Sequence, residues 1–135
     1  MKNYLVLISV ITLTACANPN TTPVNTRPVA LTGADQSAVQ SRVIDGLKDP
    51  SSAQLRNVKA FELSNGQGRA ICGEVNGKNS FGGYVGFRPF YLRLKEGKVV
   101  SAVMSTGGQE DYIASIIVQK CAEAASGRMM VDGAL

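Results

Sequence analysis

Between residues 54 and 105 the chain is a run of extended-type segments separated by turn signals, and this stretch limits the fold more than any other feature. Residues 54–63 read as a first strand. Asn65-Gly66 follows, a strong hairpin signal because both residues tolerate positive φ. Residues 69–75, 84–94 and 98–105 read as three further strands, the last pair joined by Lys95-Glu96-Gly97. Short turns between neighbouring strands imply an antiparallel meander. In the third strand Phe90, Leu92 and Leu94 share one face, with Val85, Phe87 and Tyr91 on the other, as suits a central strand.

Helical periodicity flanks this stretch. Val39, Val43, Ile44 and Leu47 place one apolar stripe on residues 35–47, and Thr32 with Asp35 has the spacing of a capping box. Asp49-Pro50 ends that helix, because the residue before proline is driven from the α region. Residues 109–125 read as a second helix with Ile113, Ile116, Ile117, Cys121 and Ala124 inward, and Gly127 as its stop. The expected fold class is α+β: a four-stranded antiparallel meander flanked by an N-terminal and a C-terminal helix, α-β-β-β-β-α. The expected domain is 34–127, with 128–135 as a C-terminal tail.

The N-terminus has a different character. Lys2 precedes an apolar stretch over residues 4–13, too short to span a ~30 Å hydrocarbon core permanently. Leu13-Thr14-Ala15-Cys16 resembles the lipobox of bacterial lipoproteins at all four positions. The resemblance implies that residues 1–15 are a signal peptide and that cleavage exposes Cys16. It also implies acylation of Cys16 and anchorage to a lipid bilayer. More than one acyl chain makes such attachment stable, at ~0.8 kcal/mol per buried methylene. Ala17 resembles the outer-membrane-sorted class, which implies a cell-envelope location facing the periplasm. Residues 17–33 hold Pro19, Pro23 and Pro28 among Asn and Thr, so 16–33 reads as the lipidated cysteine and a flexible tether, with a reach of roughly 20–25 Å.

Charge and composition exclude several functions. The chain carries +4, and losing Lys2 with the leader leaves 13 basic against 10 acidic residues, or +3. The signs are interspersed, without the basic stripe of a nucleic-acid binder. Histidine is absent, so a Ser-His-Asp or Cys-His site cannot be built from this chain. Neither a metal nor a cofactor is implied, and the domain is expected not to be an enzyme.

With Cys16 acylated, Cys72 and Cys121 remain as a pair in an oxidising compartment. Cys72 falls mid-strand and Cys121 on the inward stripe of the last helix. A disulfide there closes a loop of about 50 residues, for roughly 4 kcal/mol. The alternative is two buried thiols that only pack.

One segment is unusual. Residues 72–90 concentrate Gly73, Gly77, Gly82, Gly83 and Gly86. A P-loop is excluded by the spacing Gly73-x3-Gly77-Lys78-Asn79 and by the strand that follows. Lys78 beside Ser80 lacks a third partner for a Ser-Lys enzyme. Two readings stay open. Glu74 and Asn76 brace the long loop, or Lys78, Asn79, Phe81, Tyr84 and Arg88 form a contact surface for a protein.

Asp49-Pro50-Ser51-Ser52-Ala53-Gln54, Arg56-Asn57-Val58, Cys72-Gly73-Glu74-Val75-Asn76, Lys78-Asn79 and Gly82-Gly83-Tyr84-Val85-Gly86-Phe87 together resemble a family of small uncharacterised exported proteins of bacteria and their prophages. The resemblance covers roughly residues 45–95 and implies no activity. The expected function is a membrane-anchored envelope lipoprotein whose domain binds an envelope protein or a cell-wall component, with no nucleic acid among its partners. The alternatives are a phage- or plasmid-related exclusion factor and an enzyme using carboxylate or Lys chemistry.

Overall fold

A computed structural model describes residues 21–108 and 111–132 of the chain. The lipobox and Cys16 lie outside these residues, as does Gln109 at the expected start of the second helix. The elements are β1 (Thr21–Val29), α1 (Gly33–Val39), β2 (Gln54–Leu63), β3 (Gly68–Asn76), β4 (Arg88–Lys95), β5 (Lys98–Met104), α2 (Tyr112–Ala125) and β6 (Arg128–Asp132). All strands join one antiparallel sheet in the order β5-β4-β3-β2-β1-β6.

This corrects the four-stranded meander: the sheet has six strands. The two extra strands come from segments read as a tether and a tail. Thr26 to Val29 pair with Leu63 to Ala60 of β2, whereas Thr21 to Asn25 pair with Asp132 to Arg128 of β6. The prolines explain how such a segment enters a sheet. The Thr26 N–H donates to Gly127 on the β6 side, and the Asn25 carbonyl accepts from Ser64 on the β2 side. Backbone groups alternate edges, so Pro28 turns its nitrogen to the β6 side beyond the last β6 pair. Pro23 turns its nitrogen to the β2 side beyond the last β2 pair. Neither proline removes a ladder hydrogen bond. The Thr26 hydroxyl also donates to the Ala124 carbonyl at 2.7 Å, fastening β1 to the end of α2.

Other boundaries move for local reasons. The first helix is α-helical only over Gly33–Val39 and continues as a π-helical turn, Gln40–Ile44. Val39, Val43 and Leu47 are nevertheless all buried on one side. Its capping box is formed: Thr32 Oγ1 accepts from the Asp35 N–H, and the Asp35 carboxylate accepts from the Thr32 N–H at 2.8 Å. The third meander strand begins at Arg88, not residue 84, because Gly86 has φ +96° and Tyr84 forms only an isolated bridge to Lys78. The second helix begins at Tyr112 because Asp111 caps it, accepting from the Ala114 N–H.

Side-chain alternation divides the core in two. One face of the sheet packs Phe61, Leu63, Ala70, Cys72 and Tyr91 with Ile117 and Ala124 of α2 and Met129 and Val131 of β6. The opposite face packs Ala60, Ile71, Val75, Phe90, Leu92 and Leu94 with Ala38 and Val39 of α1 and with Val43 and Leu47. Burying Phe90, Ile71 or Leu92 contributes about 1.5–3 kcal/mol each. Gly73 is required for this packing, since a Cβ there would stand 2.6 Å from the ring of Phe90. The strand directions also define two ends. The β2–β3 and β4–β5 turns lie at the same end as Thr21 and Asp132, and the β3–β4 connection lies at the other.

Candidate functional site

The β3–β4 connection, residues 77–87, is a braced tip. Asn79 organises it. Its Oδ1 accepts the N–H groups of Phe81 (2.9 Å) and Gly83 (3.1 Å), and its own N–H donates to Gly83 O at 2.8 Å. The Gly82 N–H donates back to the Asn79 carbonyl at 3.0 Å. Asn76 Oδ1 takes the Gly86 N–H at 3.0 Å, and the Lys78 N–H donates to Ser52 Oγ at 2.8 Å. Local side-chain acceptors thus replace ladder bonds across the loop. Two glycines are needed for conformation: Gly82 (φ +81°) and Gly86 (φ +96°). Gly83 is not in the left-handed region.

The five residues expected to form a contact surface have unlike environments. Phe81 is 98% exposed at the apex. Tyr84 and Val85 are about half exposed beside it. Lys78 turns its Nζ toward the Tyr84 ring, 5.6 Å from the centroid. Arg88 Nη1 donates to the Thr106 carbonyl at 3.1 Å, so this cation ties the β4 entry to the segment before α2. Asn79 is engaged within the tip. The apex therefore offers an aromatic surface on a hydrogen-bonded loop, with Lys78 beside Tyr84 and Arg88 turned to Thr106.

A second feature was not evident from spacing alone. Arg56 and Glu74, paired across β2 and β3, form a bidentate ion pair with both N–O distances 2.9 Å. Asn57 Nδ2 donates to Glu74 Oε2 at 3.0 Å, and the Arg56 guanidinium stacks 3.9 Å from the Phe87 centroid. The hydrogen bond from Arg56 holds the Glu74 carboxyl below the usual carboxylate range, against a smaller opposing effect of burial. The β2 backbone bulges here, with Asn57 at φ 54°, which interrupts the β2–β3 ladder. Glu74 was expected to brace the glycine-rich loop; instead it binds Arg56, and Asn76 alone of the two braces the loop.

Glu74 and Asn57 line a groove of about 640 Å³ between the sheet and α2. Its walls include Phe61, Pro89, Ile117 and Val118, and the Cys72–Cys121 disulfide crosses its floor. The two half-cystines have Cα atoms 5.9 Å apart and link β3 to α2. The expected pairing of Cys72 with Cys121 is therefore formed. Among the described residues no group of three or more acidic or cysteine side chains is placed to hold a metal ion. No helix among them is long and apolar enough to cross a membrane.

Comparison with models of known protein families, with curated proteins and with solved structures finds no significant match for this chain.

Proposed function

We propose that this chain is a lipid-anchored protein of the bacterial envelope, acylated at Cys16 after removal of residues 1–15. Its domain binds a protein partner through the tip around Phe81 and carries out no catalysis. The observation that carries the reading is the Cys72–Cys121 disulfide. Such bonds form and persist in oxidising compartments, where a leader like this one delivers a chain. The Leu13-Thr14-Ala15-Cys16 lipobox supports the anchor, and the Ala17 that follows supports the outer membrane as its site. A fully exposed aromatic on a loop braced by Asn79 and Asn76 is the kind of group that dominates binding energy.

The test is metabolic labelling with palmitate. The wild-type chain should take up label and sediment with the membrane fraction. Cys16→Ser should take up none and either remain unprocessed or leave the membrane. Normal labelling of Cys16→Ser would refute the anchor.

A further inference from the structure

The groove between α2 and the sheet is long, apolar and charged at one point. Its helix wall is one face of α2, with Ala114, Val118, Cys121 and Ala125 spaced so that they stack along the helix. From Ala114 to Ala125 this wall is about 16 Å long, at ~1.5 Å rise per residue. Opposite it the lining steps over three neighbouring strands, from Pro89 of β4 through Cys72 of β3 to Phe61 of β2. Val118 stands 59% exposed on the helix wall, apolar surface that no described residue covers.

The polar side chains of the lining are Asn57, Lys59 and Glu74. Glu74 is taken up by the bidentate ion pair with Arg56 and by Asn57. Lys59 sits opposite Cys72 in the ladder and makes no ion pair or side-chain hydrogen bond with the described residues. The trough therefore offers one uncommitted cation and no uncommitted anion.

Its dimensions select the occupant. A volume of about 640 Å³ lies in the range of small-molecule sites. A helix ~10 Å across fills roughly 400 Å³ per turn, so the groove would hold only about a turn and a half. β3 is hydrogen-bonded to both β2 and β4, and β4 to both β3 and β5, so the floor offers no free ladder to an extended peptide. An alkyl chain needs neither that width nor backbone partners.

We propose that this groove binds a single-chain anionic amphiphile. The alkyl chain lies along α2 between Val118 and the sheet, and the carboxylate or phosphate head meets Lys59. A free fatty acid and a lysophospholipid share this chemistry. The site is separate from the Phe81 tip and does not depend on the anchor at Cys16.

The test uses the full-length chain with Cys16→Ser, so that no acyl chain of its own competes. It is irradiated in detergent-free buffer with a fatty acid carrying a diazirine at its tail, below the micelle concentration, and adducts are mapped by mass spectrometry. Adducts should concentrate on Phe61, Ile117 and Val118. Lys59→Glu should lower the labelling roughly fivefold, the upper range for an exposed ion pair, and Lys59→Arg should retain it. Both should melt like the parent, because Lys59 is exposed. Val118→Glu, which puts a charge on the apolar wall, should abolish labelling. Unlabelled fatty acids should compete about fourfold better for each added methylene. Decanoate and lysophosphatidylglycerol distinguish the two sources, the stronger competitor naming the head group, and a neutral monoacylglycerol should compete several-fold more weakly than either. Adducts spread along the chain or confined to residues 1–20, full labelling of Lys59→Glu, or equal competition by the neutral lipid overturns the proposal.

Discussion

Arg69 of β3 grips Asp35 of α1, with its Nε 3.1 Å from both carboxylate oxygens and its Nη2 2.7 Å from Oδ2. The same guanidinium reaches the Ala30 carbonyl at 2.7 Å, so one side chain locks the end of β1, the cap of α1 and the sheet together. Asp35 is fully buried, and Arg69 is only partly exposed.

Breaking this pair should be among the more destabilising single changes. Arg69→Ala leaves a buried carboxylate without its cation, for about 3–5 kcal/mol. Chemical denaturation should show that loss in the midpoint; a change within ~0.5 kcal/mol would contradict the packing described. Acid should reproduce part of it. Burial pushes the Asp35 carboxyl up, but the Arg69 and Thr32 hydrogen bonds together leave it below its ordinary value. A carboxyl lowered in the folded chain stabilises fully above the unfolded value of ~3.9, and that stability disappears as pH falls through the folded value. The wild-type chain should therefore lose stability below about pH 4, and Asp35→Asn should flatten that acid limb.

The disulfide should matter for stability. It joins residues 49 apart in sequence, and the loop-entropy estimate for that span is about 4 kcal/mol. Cys72→Ser with Cys121→Ser should lower the midpoint by that order without abolishing the sheet, since Ile117 and Ala124 still seat α2. Full alkylation of both thiols in unreduced envelope protein would contradict the bond itself.

Glycine substitutions should divide by position. Gly73→Ala drives a methyl against the buried Phe90 ring, and overpacking of this kind costs about 1–3 kcal/mol. Gly82→Val places a β-branched residue at positive φ and should loosen the tip. Gly83→Val should cost little, because the backbone there is ordinary and a Cβ would meet nothing nearer than Asn79 at 3.8 Å. Thermal melts of the three variants should rank Gly83→Val as the mildest.

Phe81→Ala should leave the melt unchanged, within ~0.5 kcal/mol, because the ring touches little of its own chain. It should weaken partner binding by ~2 kcal/mol or more. Asn79→Ala should act differently. It removes the acceptor for two tip N–H groups, costs about 1 kcal/mol of stability, and weakens binding through a looser Phe81. Thermal melts beside titration calorimetry with a purified partner separate the two: equal effects of Phe81→Ala and Asn79→Ala on the melt would contradict the distinction.

Local chemistry was legible in the sequence where it acts over a few residues. The Asn65-Gly66 turn has both residues at positive φ, the Thr32–Asp35 box caps α1, and β2 spans Gln54–Leu63 as its alternation implies. The Cys72–Cys121 pairing followed from counting cysteines. Tertiary structure alone decided β1 and β6. A Thr-, Asn- and Pro-rich segment carries no strand signal of its own, and it becomes a strand because β2 and β6 supply partners while Pro23 and Pro28 face the unpaired stretches. The Arg56–Glu74 and Arg69–Asp35 pairs likewise join residues 18 and 34 positions apart, and only chain folding brings such charges together. Turns, caps and alternation are written in neighbouring residues, whereas a strand or ion pair that depends on distant partners is fixed only when the sheet closes around it.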